Sequence, residues 1–232
     1  YLNIGKKMGW AKKERNLLNI LRLIIGFPRS VYFNFRCLPF KHAIKMPVIL
    51  SHKTSFKCLT GKIVLTNPKS FALNIGFGTT QAVDFKYERT VIDLQGTWVA
   101  HGKVRVGAGS KISVLGELTT GNDFNITART TIICNKKIQF GNKNLISWDN
   151  LFMDTDQHII RDFDGRIINE DKSIILEDNV WVGCGCTIMK GSEVAKNSII
   201  GAGTLLRGKF KKENVIIAGN PGVIVREGMT WD

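Results

Sequence analysis

Branched aliphatic residues recur every six positions from Leu176 to Ile200, at Leu176, Val182, Ile188, Val194 and Ile200. The fifth place of each hexad is small or β-branched: Val180, Cys186, Ser192, Ser198 and Thr204. Gly183, Ala195 and Gly201 put a tiny residue directly after the aliphatic one. A period of six is neither helical nor a plain alternation. Six extended residues at ~3.3 Å each make a short strand plus a turn. So short a unit buries its aliphatic residue only by stacking on the next, which predicts a solenoid.

The same spacing runs upstream through Val106, Ile112, Leu118 and Phe124, slips, and resumes at Cys134, Phe140, Ile146 and Phe152. Recurrent tetrads, LNIG at 73–76, VRVG at 104–107 and IQFG at 138–141, with ILE at 175–177 as a variant, read as coil starts. Gly76, Gly78, Gly102, Gly107 and Gly109 read as corners. The expected solenoid spans 48–217, followed by a tail over 218–232.

Two stretches fall outside the register. Residues 8–26, MGWAKKERNLLNILRLIIG, carry apolar residues near helical spacing among lysines and arginines. Gly26 and Pro28 are expected to stop that helix. Such a basic amphipathic helix either lies on an anionic membrane surface or covers the first coil. Residues 29–47 read as a basic, aromatic connector docked on that coil, so 1–47 form an N-terminal segment. The second break, DTDQHIIRDFDGRIINEDKS at 154–173, is polar and holds no hexad. A polar loop expelled from a regular array is a good place for function. It carries His158, one of four histidines in the chain.

Composition narrows the classes. The chain has 232 residues, 44% of them hydrophobic, and a net charge of +14. That charge suits phosphate-rich small molecules or an anionic membrane surface; without a recognition motif, nucleic acid is not an expected partner. No run of about 18 apolar residues predicts a membrane span, and no signal peptide is visible. The chain opens on Tyr1, as a truncated or processed one would. Five cysteines without framework spacing suit a reducing cytoplasm. The expected location is cytoplasmic, or peripheral at the inner face of the membrane through residues 8–26. Cys186 takes the small inward place of its hexad and reads as a buried thiol rather than a metal ligand.

The order ISWDNLFMDTDQHII, RIIN, IILEDNVWVG, IMKGSEV, IIGAGTLL and IIAGNPGVIVRE resembles the hexapeptide-repeat acyltransferases. Closest in look are the sugar O-acetyltransferases of capsule, O-antigen and other surface-polysaccharide pathways. The likeness is specific over 138–228 and loose over 48–137. It implies an all-β left-handed parallel β-helix, with the basic N-terminal helical segment and the inserted catalytic loop as additions. The left-handed wind comes from the resemblance alone and runs against the usual crossover rule. It implies acetyl-CoA as co-substrate, a carbohydrate acceptor, a homotrimer with sites between neighbouring prisms, and no metal.

The resemblance places His158 as catalytic base, with Asp154 or Asp156 to orient it and Trp181 close to both substrates. Gly183, Cys184 and Ala202 fall at the donor's arm, and Arg226 within reach of its phosphates. Arg207 is placed with them on the donor, where the family often has V-T-K-D, a departure from the pattern.

The chemistry is consistent with those roles. Acyl transfer to a hydroxyl needs a base as the oxygen attacks, and an imidazole with a pKa of about 6.5 suits it. A carboxylate fixes its tautomer. The developing oxyanion needs a donor, expected from a corner N–H near Gly183–Cys184. Three rivals fit less well. A γ-type carbonic anhydrase needs three zinc histidines on adjacent coils, a nucleotidyltransferase needs a glycine-rich phosphate loop, and an inert β-helix wants rows of Thr without an inserted loop.

Overall fold

The computed structural model describes residues 20–21, 23–78, 80–81 and 83–231. Among them, three sheets of nine, seven and seven strands, parallel except for the last pair of the nine, enclose a three-sided prism. The chain winds as a left-handed parallel β-helix. One turn visits the first face at Leu145–Ile146, the second at Leu151–Met153 and the third at Ile174–Leu176. It then returns to the first at Trp181–Val182. The hexad aliphatics point into the prism: Leu176, Val182, Ile188, Val194 and Ile200 are all buried. Aromatic rings fill the wider middle, where Phe140 lies 4.7 Å from Phe124 and 5.1 Å from Phe152, centroid to centroid.

The slip in the hexads has a geometric cause. Val106 pairs with Ile126 and Ile126 with Ile146, twenty residues apart, whereas Val182 pairs with Ile200, eighteen apart. The longer turns have four-residue strands such as Lys111–Val114 and Glu117–Thr120. Each places two side chains inward, Ile112 with Val114 and Leu118 with Thr120, so a count by six loses step. The tetrads do not all mark the same point of the turn. Those at 73 and 104 lie on the first face, while Lys137–Phe140 and Ile174–Leu176 lie on the third. The corner from third to first face is built differently again. Asp123, Lys143, Asn179, Asn197 and Asn214 stack there with φ between 56° and 58°. Asn and Asp tolerate that region better than most residues.

The N-terminal helix corrects the expectation most sharply. Residues 23–37 are helical straight through Gly26 and Pro28. The helix closes the open edge of the first strand, Val48–Leu50, with side chains in place of a neighbouring strand. Ser30 Oγ accepts the N–H of Leu50 at 2.9 Å; Asn34 donates to the carbonyl of Val48 at 2.7 Å and accepts its N–H at 3.1 Å. Gly26 is required by this approach, since a Cβ there would lie 2.2 Å from the Leu50 carbonyl oxygen. Phe33 is fully buried and stacks on Phe56 at 5.5 Å. These tertiary bonds override the local stop signals. Residues 8–19 and 22 of the expected helix lie outside the described residues. No described helix is long and apolar enough to cross a membrane.

At the other end, Val215–Gly219 completes the first face. It pairs antiparallel with Gly222–Glu227 across a turn holding the cis Asn220–Pro221 bond. The last first-face strand therefore runs past 217, and the hairpin's return strand ends the stack.

Candidate active site

The loop 154–173 leaves the prism at the corner between the second and third faces. Its two leading aspartates do different work. Asp154 is fully buried. Its Oδ1 accepts the N–H of Asn135 at 2.7 Å, and its Oδ2 accepts those of Lys136 at 2.9 Å and Lys137 at 2.7 Å. It caps the corner of the preceding turn and does not orient His158. Beside it, burial and the Asp154 charge push the Cys134 thiol up to about 12.

Asp156 faces Lys190. Lys190 Nζ lies 2.6 Å from Asp156 Oδ2 and 2.6 Å from the carbonyl of Asn169. The lysine's hydrogen bond, then that of Asn169, hold the Asp156 carboxyl below the usual carboxylate range. Asn169 ties the loop across its neck, donating to Asp156 Oδ2 at 2.9 Å and to the carbonyl of His158 at 2.8 Å, and accepting the N–H of Ile160 at 2.7 Å.

The backbone of His158 is thus fixed, and its imidazole is exposed with no hydrogen-bond partner among the described residues. It lines a groove of about 470 Å³ with Asn135, Lys136, Gln157 and Ile167. Lys190 and Asn169 were not singled out from sequence. Asn169 ends the RIIN string; Lys190, inside a hexad, carries no local signal.

The other predicted residues lie elsewhere on the prism. Trp181 points outward from the first face, its indole N–H donated to Ser147 Oγ at 3.2 Å and its ring 6.1 Å from Trp231. Gly183, Cys184 and Ala202 stack at the corner between the first and second faces. The N–H of Gly183 is used in the ladder, donated to Ile200 at 2.8 Å. That of Cys184 has no acceptor among the described residues, so the expected oxyanion donor narrows to Cys184. A Cβ on Gly185 or Gly203 would meet nothing within 4 Å, so the outer side of this corner is open. Cys186 behind it is buried, as expected, and burial raises its thiol pKa.

Arg207 lies instead at the second–third corner, where its charge also favours ionised Asp156. Arg226 sits on the terminal hairpin opposite Ile216. Two lysines that precede it in the chain are committed to ion pairs, Lys209 to Glu193 at 2.5 Å and Lys212 to Glu227. His158 and the Gly183–Cys184–Ala202 corner therefore occupy two edges of one prism, with the second face between them. Among the described residues no group of three metal-ligating side chains converges.

Residues 173–208 match the bacterial transferase hexapeptide (six repeats) family. The galactoside O-acetyltransferase of Lactococcus lactis subsp. lactis is 32% identical over 108 residues, which cover 45% of this chain and 48% of that protein. The match thus spans about half the length of that relative. An uncharacterized 24.8 kDa protein in the cps region of Klebsiella pneumoniae is 23% identical over 201 residues, covering 85% of this chain and 86% of its own. Among solved structures, the polySia specific acetyltransferase NeuO superposes with a TM-score of 0.52 at 22% identity, covering 79% of this chain and 74% of that one. The last likeness is one of fold.

Proposed function

Because residues 173–208 carry the bacterial transferase hexapeptide repeat, we propose that the protein is an O-acetyltransferase. It moves an acetyl group from acetyl-CoA to a sugar hydroxyl of a surface polysaccharide or its precursor. The observation that carries this reading is the loop ejected just ahead of that repeat, pinned at its neck by Lys190 and Asn169, holding out an unpaired imidazole. In the Lactococcus relative, sugar acetylation is the named activity.

His158 takes the proton of the acceptor hydroxyl as its oxygen bonds to the thioester carbonyl carbon. The N–H of Cys184 stabilises the resulting oxyanion. Collapse breaks the carbon–sulfur bond, and the imidazolium returns its proton to the departing thiolate. The slender arm of the donor runs along the open Cys184–Ala202 corner, with Arg226 toward its phosphates.

With base and donor channel on different edges, the working site forms between protomers, and a closed cyclic trimer supplies such contacts. The loop supports this: Phe163, Ile159, Ile160 and Ile168 are exposed on it and call for cover. Asp156 acts on the ring only through the loop it anchors. At the N-terminus, exposed Ile24, Ile25, Phe27, Tyr32 and Phe35 with Arg29 and Arg36 suit peripheral contact with an anionic cytoplasmic membrane face.

The test is thiol release from acetyl-CoA in the presence of a glycan panel, with mass detection of the added acetyl group. Wild type releases thiol and His158→Ala loses about 10²–10⁴ in rate. Full transfer by His158→Ala on a genuine acceptor would remove this loop from the chemistry.

A further inference from the structure

The first face carries an outward row that runs past Trp181 in both directions. Register places Asn74, Arg105, Asn125, Leu145, Trp181, Ile199, Ile216 and Arg226 side by side on successive strands. Toward Arg226 the row meets the proposed donor side. Toward Arg105 it enters a separate groove of about 460 Å³, lined by Asn74, Phe77, Arg105, Asn125, Thr127 and Trp148.

The chemistry of this groove is specific. Arg105 is exposed, and no carboxylate pairs with it among the described residues. Trp148, half-buried, sits at the corner one turn before Cys184 and offers a flat apolar face beside polar groups. The side-chain amide of Asn125 has no partner among the described residues, its backbone N–H being donated to Asn144. Thr127 Oγ1, shielded at the groove floor, also has none, leaving a polar group to be satisfied. An indole face accommodates the C–H face of a pyranose, planar amides pair with vicinal hydroxyls, and a guanidinium pairs bidentately with a carboxylate.

We propose that this groove is a binding subsite for an acidic glycan, with Arg105 pairing the sugar carboxylate and Trp148 packing on the ring. The inference rests on the acetyltransferase reading for its purpose. Arg105 lies three rungs from Trp181, roughly 14 Å at the spacing of paired strands. The subsite therefore holds a part of the acceptor that does not react. Binding a remote part of a substrate orients the reacting part, so an extended acceptor outperforms a single sugar.

An array of sialic- and uronic-acid oligosaccharides, each beside its carboxyl-reduced counterpart, tests this with the full chain and no acetyl-CoA. The acidic member of at least one pair should be retained over the reduced one. Arg105→Ala should weaken acidic binding at least 10-fold and leave the reduced glycans unchanged. Trp148→Ala should weaken both. Lys111→Ala removes the same charge from the second face and should change nothing.

Equal retention of acidic and reduced glycans, no retention of either, or an Arg105→Ala that binds like wild type overturns the proposal. An equal loss in Lys111→Ala also overturns it, since bulk charge would then explain the binding. The parent reading fails separately. Arg105-dependent binding without any acetyl transfer removes the enzyme and keeps the subsite; transfer to an acidic glycan that ignores Arg105 does the reverse.

Discussion

Lys190→Met should loosen the His158 loop without unfolding the prism. Lys190 is largely buried at the loop neck and makes two charge-assisted hydrogen bonds, to Asp156 and to the carbonyl of Asn169. Bonds to charged groups are worth about 1.5–3 kcal/mol each. Asp156 is 30% exposed, so water replaces part of what is lost. A net loss of about 2 kcal/mol follows, confined to the loop because the hexads hold the core without it.

At 1.4 kcal/mol per factor of ten, that is roughly a 30-fold larger open population. Native-state hydrogen exchange reads it directly. The N–H of Ile160, donated to Asn169 Oδ1, and that of Ile168, donated to the carbonyl of Ile160, should exchange roughly 30-fold faster. The thermal midpoint and acetyl-CoA affinity should hardly move, while kcat falls. Unchanged exchange at Ile160 and Ile168 would refute the claim that Lys190 fastens the loop.

The pH dependence has a definite sign. Asp156 has a folded pKa below its unfolded value of about 3.9. Its contribution is complete above that value and is lost as pH falls through the folded pKa. The fastening therefore persists through mild acid, and any activity change near neutrality reports another group.

Three further outcomes follow. Asp154→Ala strands three N–H groups at a buried corner and should destabilise the fold by about 3 kcal/mol or more by denaturant titration, whereas Asp156→Ala should cost less than half of that. Arg226→Ala should raise the KM for acetyl-CoA more than that for acceptor; an unchanged donor KM would move the phosphate contact away from the hairpin. His158→Ala and Arg226→Ala proteins, assayed at low acetyl-CoA where each is impaired, should partly restore activity when co-assembled, because some edges then pair two intact halves; no recovery in mixed assemblies shown by mass would argue for a site within one chain.

The hexads made the prism legible because a six-residue period has few other physical solutions. The loop was legible because it broke that period. What sequence could not separate was Asp154 from Asp156, two identical side chains two residues apart. Their roles are set by the last rung before the loop, which turns Asp154 under the preceding corner and leaves Asp156 to a lysine 34 residues away. The helix through Gly26 and Pro28 was hidden for a related reason. Its partners Val48 and Leu50 are distant in sequence, so local stop signals were all that showed. The placing of His158 and the Gly183–Cys184–Ala202 corner on two different edges was likewise invisible, since adjacent hexads say nothing about which corner a residue turns.

The two closures of the prism hold its first turn and its last turns, the tail after the hairpin reaching back to Asn179 and Trp181. The N-terminal helix bonds to the strand Val48–Leu50, and the terminal hairpin to the rung at Ile199–Ile200 and Val215–Gly219. Nothing in the middle turns knows how many of them there are. Length is therefore a free variable: a whole turn of eighteen or twenty residues can be added or removed while both closures keep every bond they make. Each such step moves Arg105 relative to Trp181 by one strand spacing, ~4.8 Å. The stack is then a ruler, graduated in turns, along which the reach between a gripping point and a reacting point can be reset without redesigning either.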